Sequence, residues 1–515
     1  MEGKPPWGEG RCRLKMRRAA VFGAYWDKQS ERGFFMSSLW TSGVDMPKRE
    51  ALKGNAEVDT AVIGAGMAGL LTAWFLQQEG QRVAVLEAGR VGCGQTSGTT
   101  AKITSQHGLI YAGLTRRLGR EAARQYAMAN QRAVEDYRRL ADSLGIACDL
   151  EPRSAFVYAV RDAGRLEEEC EAARALGLPA RLEADPGLPF ATEGALCFEE
   201  QAQFHPLKFL AGLARHLEIY ENSRVQQVEG DTLTVCGHRV RAKQVVFASH
   251  FPFVNRPGCY FARMSQSRSY SMAFRGASLP CGMYLGADEE DLSLRAYKDL
   301  VILCGEPHNT GDNRQGGHFE ALERRARELW PGAAEAARWS AQDCMTGDGV
   351  PYIGHYCTST PNWYVATGFG KWGMSSSMAA ARILSGEIAG RPDPCAGVFS
   401  PQRFSLRELP PMAEEGARVA KGLALELFSI PRARARDLPV GHGGVVEFQG
   451  QTVGLYKQED GTVCAVRTRC PHLGCQLEWN PDEKSWDCPC HGSRFDYTGK
   501  WLNGPAQEDL PSIHL

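Results

Sequence analysis

No stretch of about 18 apolar residues occurs in this 515-residue chain, so nothing in it is expected to cross a bilayer as a helix. Nor is there an excess of charge of either sign. The 59 Lys and Arg against 60 Asp and Glu leave a formal net charge of -1, which gives no basic footprint for a nucleic acid. Internal repeats and low-complexity tracts are missing too, so a solenoid or a disordered scaffold is not expected. Most of the 17 cysteines lie singly between Cys12 and Cys464, unlike a secreted disulfide framework, and this fits a reducing, cytoplasmic compartment. A secretory apolar core is also lacking, because the patch from Ala19 to Tyr25 is short and soon interrupted by Trp26 and Asp27; Arg17-Arg18 leaves an export signal as the alternative. We expect residues 1–50 to form a disordered extension. Met36 opens a more ordinary start, MSSLWTSG, which suggests that the first 35 residues are not part of the mature protein.

What is present reads as a soluble globular protein, with 43% hydrophobic and 23% charged residues and a length that suggests two to four domains. Residues 57–87 run through a short apolar strand, a glycine turn, an apolar-faced helix and a second strand, a βαβ unit. Residues 115–145 carry apolar side chains at helical spacing and end in glycine. Short β-rich runs follow from 219 to 251, and SQSRSYSMAF at 265–274 alternates as a half-buried strand does. Residues 363–390 repeat the strand, glycine turn, helix order. After GRPDP we expect a connector over 395–437, with a solvated helix and the basic patch PRARARD, and then a small antiparallel β domain over 438–515.

In GAGMAG, Gly64 permits the tight turn, Gly66 lets a pyrophosphate approach the backbone, and Gly69 lets helix and strand pack closely. Phosphate then sits on the amide-rich start of the helix. Glu87, at the end of the second strand, stands where a ribose-binding acid is expected. FAD and NAD share this fingerprint, so the turn alone does not choose between them.

A second cluster lies near the C-terminus in CPHLGCQLEWNPDEKSWDCPCHGSRF. Cys470 and His472 are followed, fifteen residues on, by Cys488 and His491. Two cysteines on one iron and two histidines on the other are the ligands of a Rieske [2Fe-2S] centre. Zinc is the rival, since Cys2His2 sets also bind it, although its usual spacing pairs cysteine with cysteine and histidine with histidine.

The chain resembles flavin-dependent amine and amino-acid oxidoreductases of the D-amino-acid-oxidase type. TGDGVPYIGHY with ATGFGKWGMSSSMAAARILSGEIAG is similar to that family's terminal flavin segment, and GCGQTSGTTAKITSQHG to its small-residue loop beside the flavin. The resemblance implies FAD, held through Gly64, Gly66, Gly69, Glu87, Thr96, Ser97, Val225, Gly368, Gly370 and Met374. It implies an α/β Rossmann-like FAD-binding domain with an α+β substrate domain, spanning 51–394, with FAD-binding parts at 57–110, 205–255 and 345–392 and substrate-binding parts at about 147–205 and 255–340. Tyr270, Arg295, His308 and Lys371 are candidate substrate residues, Arg295 through a bidentate pair with a carboxylate. His107 lies near where some relatives attach flavin covalently.

CPHLGC and CPCHGSRF resemble the two cluster loops of Rieske proteins, and the whole of residues 50–515 resembles bacterial FAD-dependent oxidoreductases fused to a C-terminal Rieske domain. In Rieske proteins of cytochrome bc complexes the positions of Cys475 and Cys490 form a disulfide, and the resemblance implies one here. It also implies hydrogen bonds to the cluster from Ser493 and Tyr497, and a potential that falls as pH rises. The expected activity is oxidation of a small amine or amino-acid-like substrate by hydride transfer to FAD, with electrons passed through the cluster to an unidentified acceptor. A dehydrogenase fits better than an oxidase. The alternatives are a redox relay between protein partners with no organic substrate, and a purely structural cluster.

Overall fold

The computed structural model describes residues 38–288, 292–403, 433–434 and 437–513. Most of the expected connector, with its solvated helix and basic patch, lies outside the described residues, as do residues 1–37. The expected disorder does not hold for residues 38–50. Trp40 there is fully buried, and its indole donates to the Thr99 carbonyl at 2.7 Å while packing edge-on against His205 and Tyr297.

The dinucleotide-binding unit begins with β1 (Ala56–Ile63), α1 (Met67–Gln78) and β2 (Val83–Leu86). β1 is parallel both to β2 and to β3 (His238–Phe247). The four apolar residues of β2 are all buried, as a strand covered on both faces requires. The remaining order-defining elements are β4 (Met264–Arg275), β5 (Leu300–Asn309), α2 (His318–Leu329), β6 (Ala334–Thr346), β7 (Thr360–Thr367) and α3 (Gly373–Ile388). The first sheet has eight strands, in the order Tyr352–Cys357, β7, β3, β1, β2, Ile219–Tyr220, with a hairpin of Val225–Glu229 and Thr232–Val235 attached to β3. α1 and α3 pack together on one face of it, above a core that includes Leu70, Leu71, Val62 and Ile383.

A second sheet of nine strands has β6, β4 and β5 at one side and continues through Ser293–Tyr297, Gly282–Gly286, Glu151–Ala159 and Gly194–Gln203 to Lys102–Ile103, with Ala180–Glu183 also paired to Gly194–Gln203. Strand alternation gives it two unlike faces. Ala273, Ile302 and Trp339 join the core shared with the helices of the dinucleotide unit. Tyr270, Met272, Phe274, Leu294 and Leu303 point the other way, onto Phe319 and Leu322 of α2.

The C-terminal domain is all β: a sheet of 433–434, Gly443–Phe448, Gln451–Lys457 and Val463–Val466, and another of Glu478–Asn480, Ser485–Asp487, Arg494–Asp496 and Trp501–Asn503. Trp486 and Phe495, both fully buried, face each other across the second sheet and with Trp479 and Leu477 form its core.

Candidate functional site

The turn between β1 and α1 is shaped by glycine. Gly64 has φ +107°, and a Cβ there would lie 2.6 Å from the Ala248 carbonyl oxygen; one at Gly69 would lie 1.9 Å from the Gly64 carbonyl oxygen. Side chains are thus shut out at both positions. Gly66 caps α1 without any side-chain bond, so the first amides of the helix point into the turn. The Thr96 hydroxyl accepts from the Met67 amide at 3.1 Å, and Ser97 turns its hydroxyl back to the Gly94 carbonyl at 2.8 Å. Glu87 accepts from the Ala65 and Gly89 amides at 2.8 and 2.7 Å. Burial nevertheless raises its pKa above the ordinary carboxyl value, with Glu221 adding to the rise. Val225 is buried at the start of its hairpin, and the Glu87 carbonyl accepts from the Ser223 amide at 2.7 Å, which brings that hairpin beside Glu87.

The far side of this cradle is the turn between β7 and α3. Gly368 and Gly370 have φ +73° and +55°, and the Gly370 amide donates to the Cys344 carbonyl of β6 at 2.9 Å. Met374 is buried, its carbonyl accepting from the Tyr137 hydroxyl. His107 stacks on Trp372, with Nδ1 against the Tyr126 hydroxyl and Nε2 on the Thr104 carbonyl and Ser375 hydroxyl. Both ring nitrogens are therefore engaged, and burial holds the ring neutral, at about 3.

Of the four residues read as substrate candidates, two face elsewhere. Tyr270 and His308 lie on the α2 side of the second sheet, bonded to each other at 3.1 Å and stacked with His318. A one-residue parity decides this, since neighbouring residues of β4 point to opposite faces. Arg295 faces the dinucleotide unit, but it is fully buried and its Nη1 donates to the Thr100 and Ala101 carbonyls at 2.7 and 2.6 Å. Lys371 is exposed at the flavin-side turn near Asp343. The same face carries residues that sequence reasoning missed: Ser267, Ser269 and Ser271 of β4, Asp343 of β6 and Cys304 of β5. Lys102 reaches Ser293 Oγ at 2.7 Å and the Tyr284 carbonyl at 2.6 Å. Burial pulls Lys102 down to about 7 and pushes Asp343 up to about 7. Only the strand register reveals this set.

In the C-terminal domain two loops of matching form face each other. Gly474 donates to the Cys470 carbonyl at 2.8 Å, and Gly492 donates to the Cys488 carbonyl at 3.0 Å. Cys475 and Cys490 are bridged, with Cα atoms 6.6 Å apart, so neither can offer a thiolate. They lie close to Cys488, but the sulfurs left free to ligate in these two loops are Cys470 and Cys488, both buried. Hydrogen bonding from Cys488 holds the Cys470 thiol down, to about 7. The rings of His472 and His491 meet edge to face at 4.8 Å. His472 Nε2 donates to Asn255 Oδ1 at 2.7 Å, which leaves Nδ1 with its lone pair; this Nδ1 and both nitrogens of His491 are buried without a hydrogen-bond partner among the described residues. Two sulfurs and an orphaned nitrogen on each of the two imidazoles fit a cluster with unlike irons. Ser493 Oγ lies against Cys470, while the Tyr497 hydroxyl donates to Gln458 at 3.3 Å.

The histidine edge is covered by the larger domain. Phe261 packs on both rings, and Gln342 Nε2 donates to the Gly492 carbonyl at 2.9 Å. The roles of Asn255, Phe261 and Gln342 were not readable in the sequence, because they exist only across a domain contact.

Comparison with known proteins matches both domains. The family described as FAD dependent oxidoreductase matches residues 59–386, and the Rieske [2Fe-2S] domain matches residues 429–514. A Rieske 2Fe-2S iron-sulfur protein of Bacillus subtilis, YhfW, is 35% identical over 496 residues, covering 93% of this chain and 97% of its own length. The iron-sulfur subunit 1 of the cytochrome b6-f complex of Cyanophora paradoxa is 34% identical over 142 residues, 26% of this chain and 56% of its own. Among solved structures, glycine oxidase from Geobacillus kaustophilus aligns with TM-score 0.58 at 20% identity, covering 68% of this chain and all of its own. L-proline dehydrogenase from P. horikoshii aligns with TM-score 0.58 at 16% identity, covering 68% of this chain and 98% of its own. These two show a shared fold. The chain belongs to the FAD dependent oxidoreductase family, extended by a C-terminal Rieske [2Fe-2S] domain, and its cofactors are FAD and a Rieske cluster.

Proposed function

We propose that this protein oxidises a small amine or amino-acid-like substrate by hydride transfer to FAD and sends the electrons through the Rieske centre to an acceptor, working as a dehydrogenase. The observation that carries this reading is the cover over the cluster's histidine edge, which is the flavin domain itself, with Asn255 bonded to His472. Glycine oxidase and L-proline dehydrogenase, which share the fold, bear names of amino-acid chemistry.

When bound, FAD accepts two electrons and the cluster carries one at a time. Gly64, Gly66 and Gly69 leave room for the pyrophosphate at the start of α1, Thr96 and Ser97 line its side, Glu87 takes the ribose hydroxyls, and Val225 borders the adenine end. Gly368, Gly370 and Met374 close the flavin end. Cys470, His472, Cys488 and His491 hold the cluster, and the Cys475–Cys490 bridge ties their loops. Lys102 and Asp343 are the polar groups that meet the substrate, with Asp343, at about 7, able to take the proton of a substrate ammonium before oxidation.

An anaerobic titration with a panel of amines and amino acids, following flavin absorbance and the reduced-cluster EPR signal together, tests this. One compound should bleach the flavin and then raise the cluster signal. If dithionite raises the signal and no compound does, the protein is a relay between protein partners.

A further inference from the structure

The contact between the flavin domain and the Rieske domain is fitted more closely than a passing encounter needs. Three glycines mark it. A Cβ at Gly311 would lie 2.7 Å from Pro489 Cα, one at Gly316 would lie 2.9 Å from Pro481 Cγ, and one at Gly492 would lie 2.5 Å from Gln266 Cγ. At each of them one domain enters a space that a missing side chain leaves open.

Beside these glycines runs an ion network. Arg268, 1% exposed, meets Glu483 at 2.6 Å; Glu483 also accepts from Ser340 and lies 3.1 Å from Arg494, which pairs with Asp487 at 2.9 Å. Buried pairs of this kind add little net stability, but they punish every register except the one that satisfies them. Asp482 adds to the same register, accepting from the Gly317 amide and from Asn313 Nδ2, both at 2.9 Å. The face so fixed is the histidine edge, where His491 is 1% exposed. Gln342 spans the contact: its amide donates to Gln95 of the small-residue loop at 2.7 Å, and its side chain to the Gly492 carbonyl next to His491.

We infer that the Rieske domain stays docked in this one position throughout turnover, so that flavin and cluster exchange electrons across a fixed contact and the flavin domain permanently occupies the histidine edge. This rests on the internal electron route proposed above. Each crossing takes one electron from reduced flavin and converts one ferric iron to ferrous; a one-electron acceptor returns the cluster to its oxidised form before the second crossing, and the flavin protons pass to water. A domain that had to swing would make the crossing wait on diffusion of the whole domain.

The test uses the fully loaded protein and needs no organic substrate. The flavin is reduced by a flash with an external photodonor, and the rate at which the cluster's absorbance follows is measured from water to concentrated glycerol. Hydrogen exchange of the segment 311–318 is measured on the same protein. A rate indifferent to viscosity, with 311–318 protected, is expected. Glu483→Gln should slow the crossing by about tenfold, equivalent to ~1.4 kcal/mol of docking, and make it sensitive to viscosity. A parent rate that falls as viscosity rises, with 311–318 exchanging freely, would overturn the inference, and this holds even if the variant does not fold. If 311–318 is protected but no electron reaches the cluster, docking stands and the proposed electron route fails.

Discussion

The bridge between Cys475 and Cys490 closes a loop of 15 residues, and its worth can be set out in numbers. A cross-link of that span removes loop entropy from the unfolded chain equal to about 3 kcal/mol at 25 °C. In cluster-free protein, replacing both cysteines by alanine should therefore raise the opening equilibrium of the domain by roughly 150-fold. Intuition says that the cluster makes the bridge redundant, since Cys470 and Cys488 tie the same two loops. The dependence on length is logarithmic, however. With the cluster bound, the bridge still closes the stretches 470–475 and 488–490, and for about seven residues the same relation gives ~2.4 kcal/mol. The penalty should fall only to about 50-fold. Hydrogen exchange of peptides within 464–497, in loaded and cluster-free protein, reads both numbers directly. A double variant that is as well protected as the parent once loaded would refute the entropy argument.

Four further outcomes follow from the two sites. Gly64→Ala puts a Cβ 2.6 Å from the Ala248 carbonyl oxygen at a φ of +107°; the strain of ~1–3 kcal/mol should displace the turn and cost about tenfold or more in FAD retained after gel filtration. His491→Ala should abolish the Rieske EPR signal while the flavin spectrum persists, because the rings that pack on it, Phe261 and His472, are not among the residues proposed to line FAD. Asn255→Ala removes the acceptor that enriches His472 with electron density, so the cluster's midpoint should rise, by up to about 40 mV if a full ~1 kcal/mol of hydrogen bond is differential, in a redox titration followed by EPR. Burial alone would raise Glu483, but Arg268 and Arg494 overcome it and hold the group at about 2, below its ordinary 4.5. A depressed carboxyl stabilises above its unfolded value and ceases to do so as pH falls through the folded one. Protection of segment 311–318 should therefore be lost between pH 4.5 and about 2, and protection unchanged across that window would contradict the network's role.

The sequence was most legible where a site is local in the chain. GAGMAG and the CPHLGC and CPCHGSRF loops each hold their geometry within a few residues, so spacing exposes them, while the resemblance chose FAD over NAD and strengthened the case for a Rieske cluster over zinc. The substrate side was much less legible. SQSRSYSMAF reads as a half-buried strand, yet nothing in it says that its serines face the dinucleotide unit while Tyr270 faces α2; that depends on pairing with β6 across some seventy residues. Arg295 had the right chemistry for a carboxylate; its Nη1 is engaged by two carbonyls of the small-residue loop, while Nη2 is buried without a hydrogen-bond partner among the described residues. Trp40 escaped notice for a related reason: its partner, the Thr99 carbonyl, lies 59 residues away. Asn255 and Gln342 look like ordinary surface polar residues until another domain is laid over them.

Arg224 lies with its guanidinium 3.7 Å from the centre of the Trp501 ring and donates to the Gln507 carbonyl at 3.2 Å, one residue before Val225, proposed above to border the adenine end of the dinucleotide site. A single side chain thus straddles the cradle for one cofactor and the last strand of the domain that houses the other. Anything that settles the Val225 strand also raises the cost of peeling Trp501 away, and thermodynamic reciprocity requires the converse. On the FAD site proposed above, loading of the flavin and maturation of the iron-sulfur domain would therefore be linked events, a chain that has completed one being better prepared for the other.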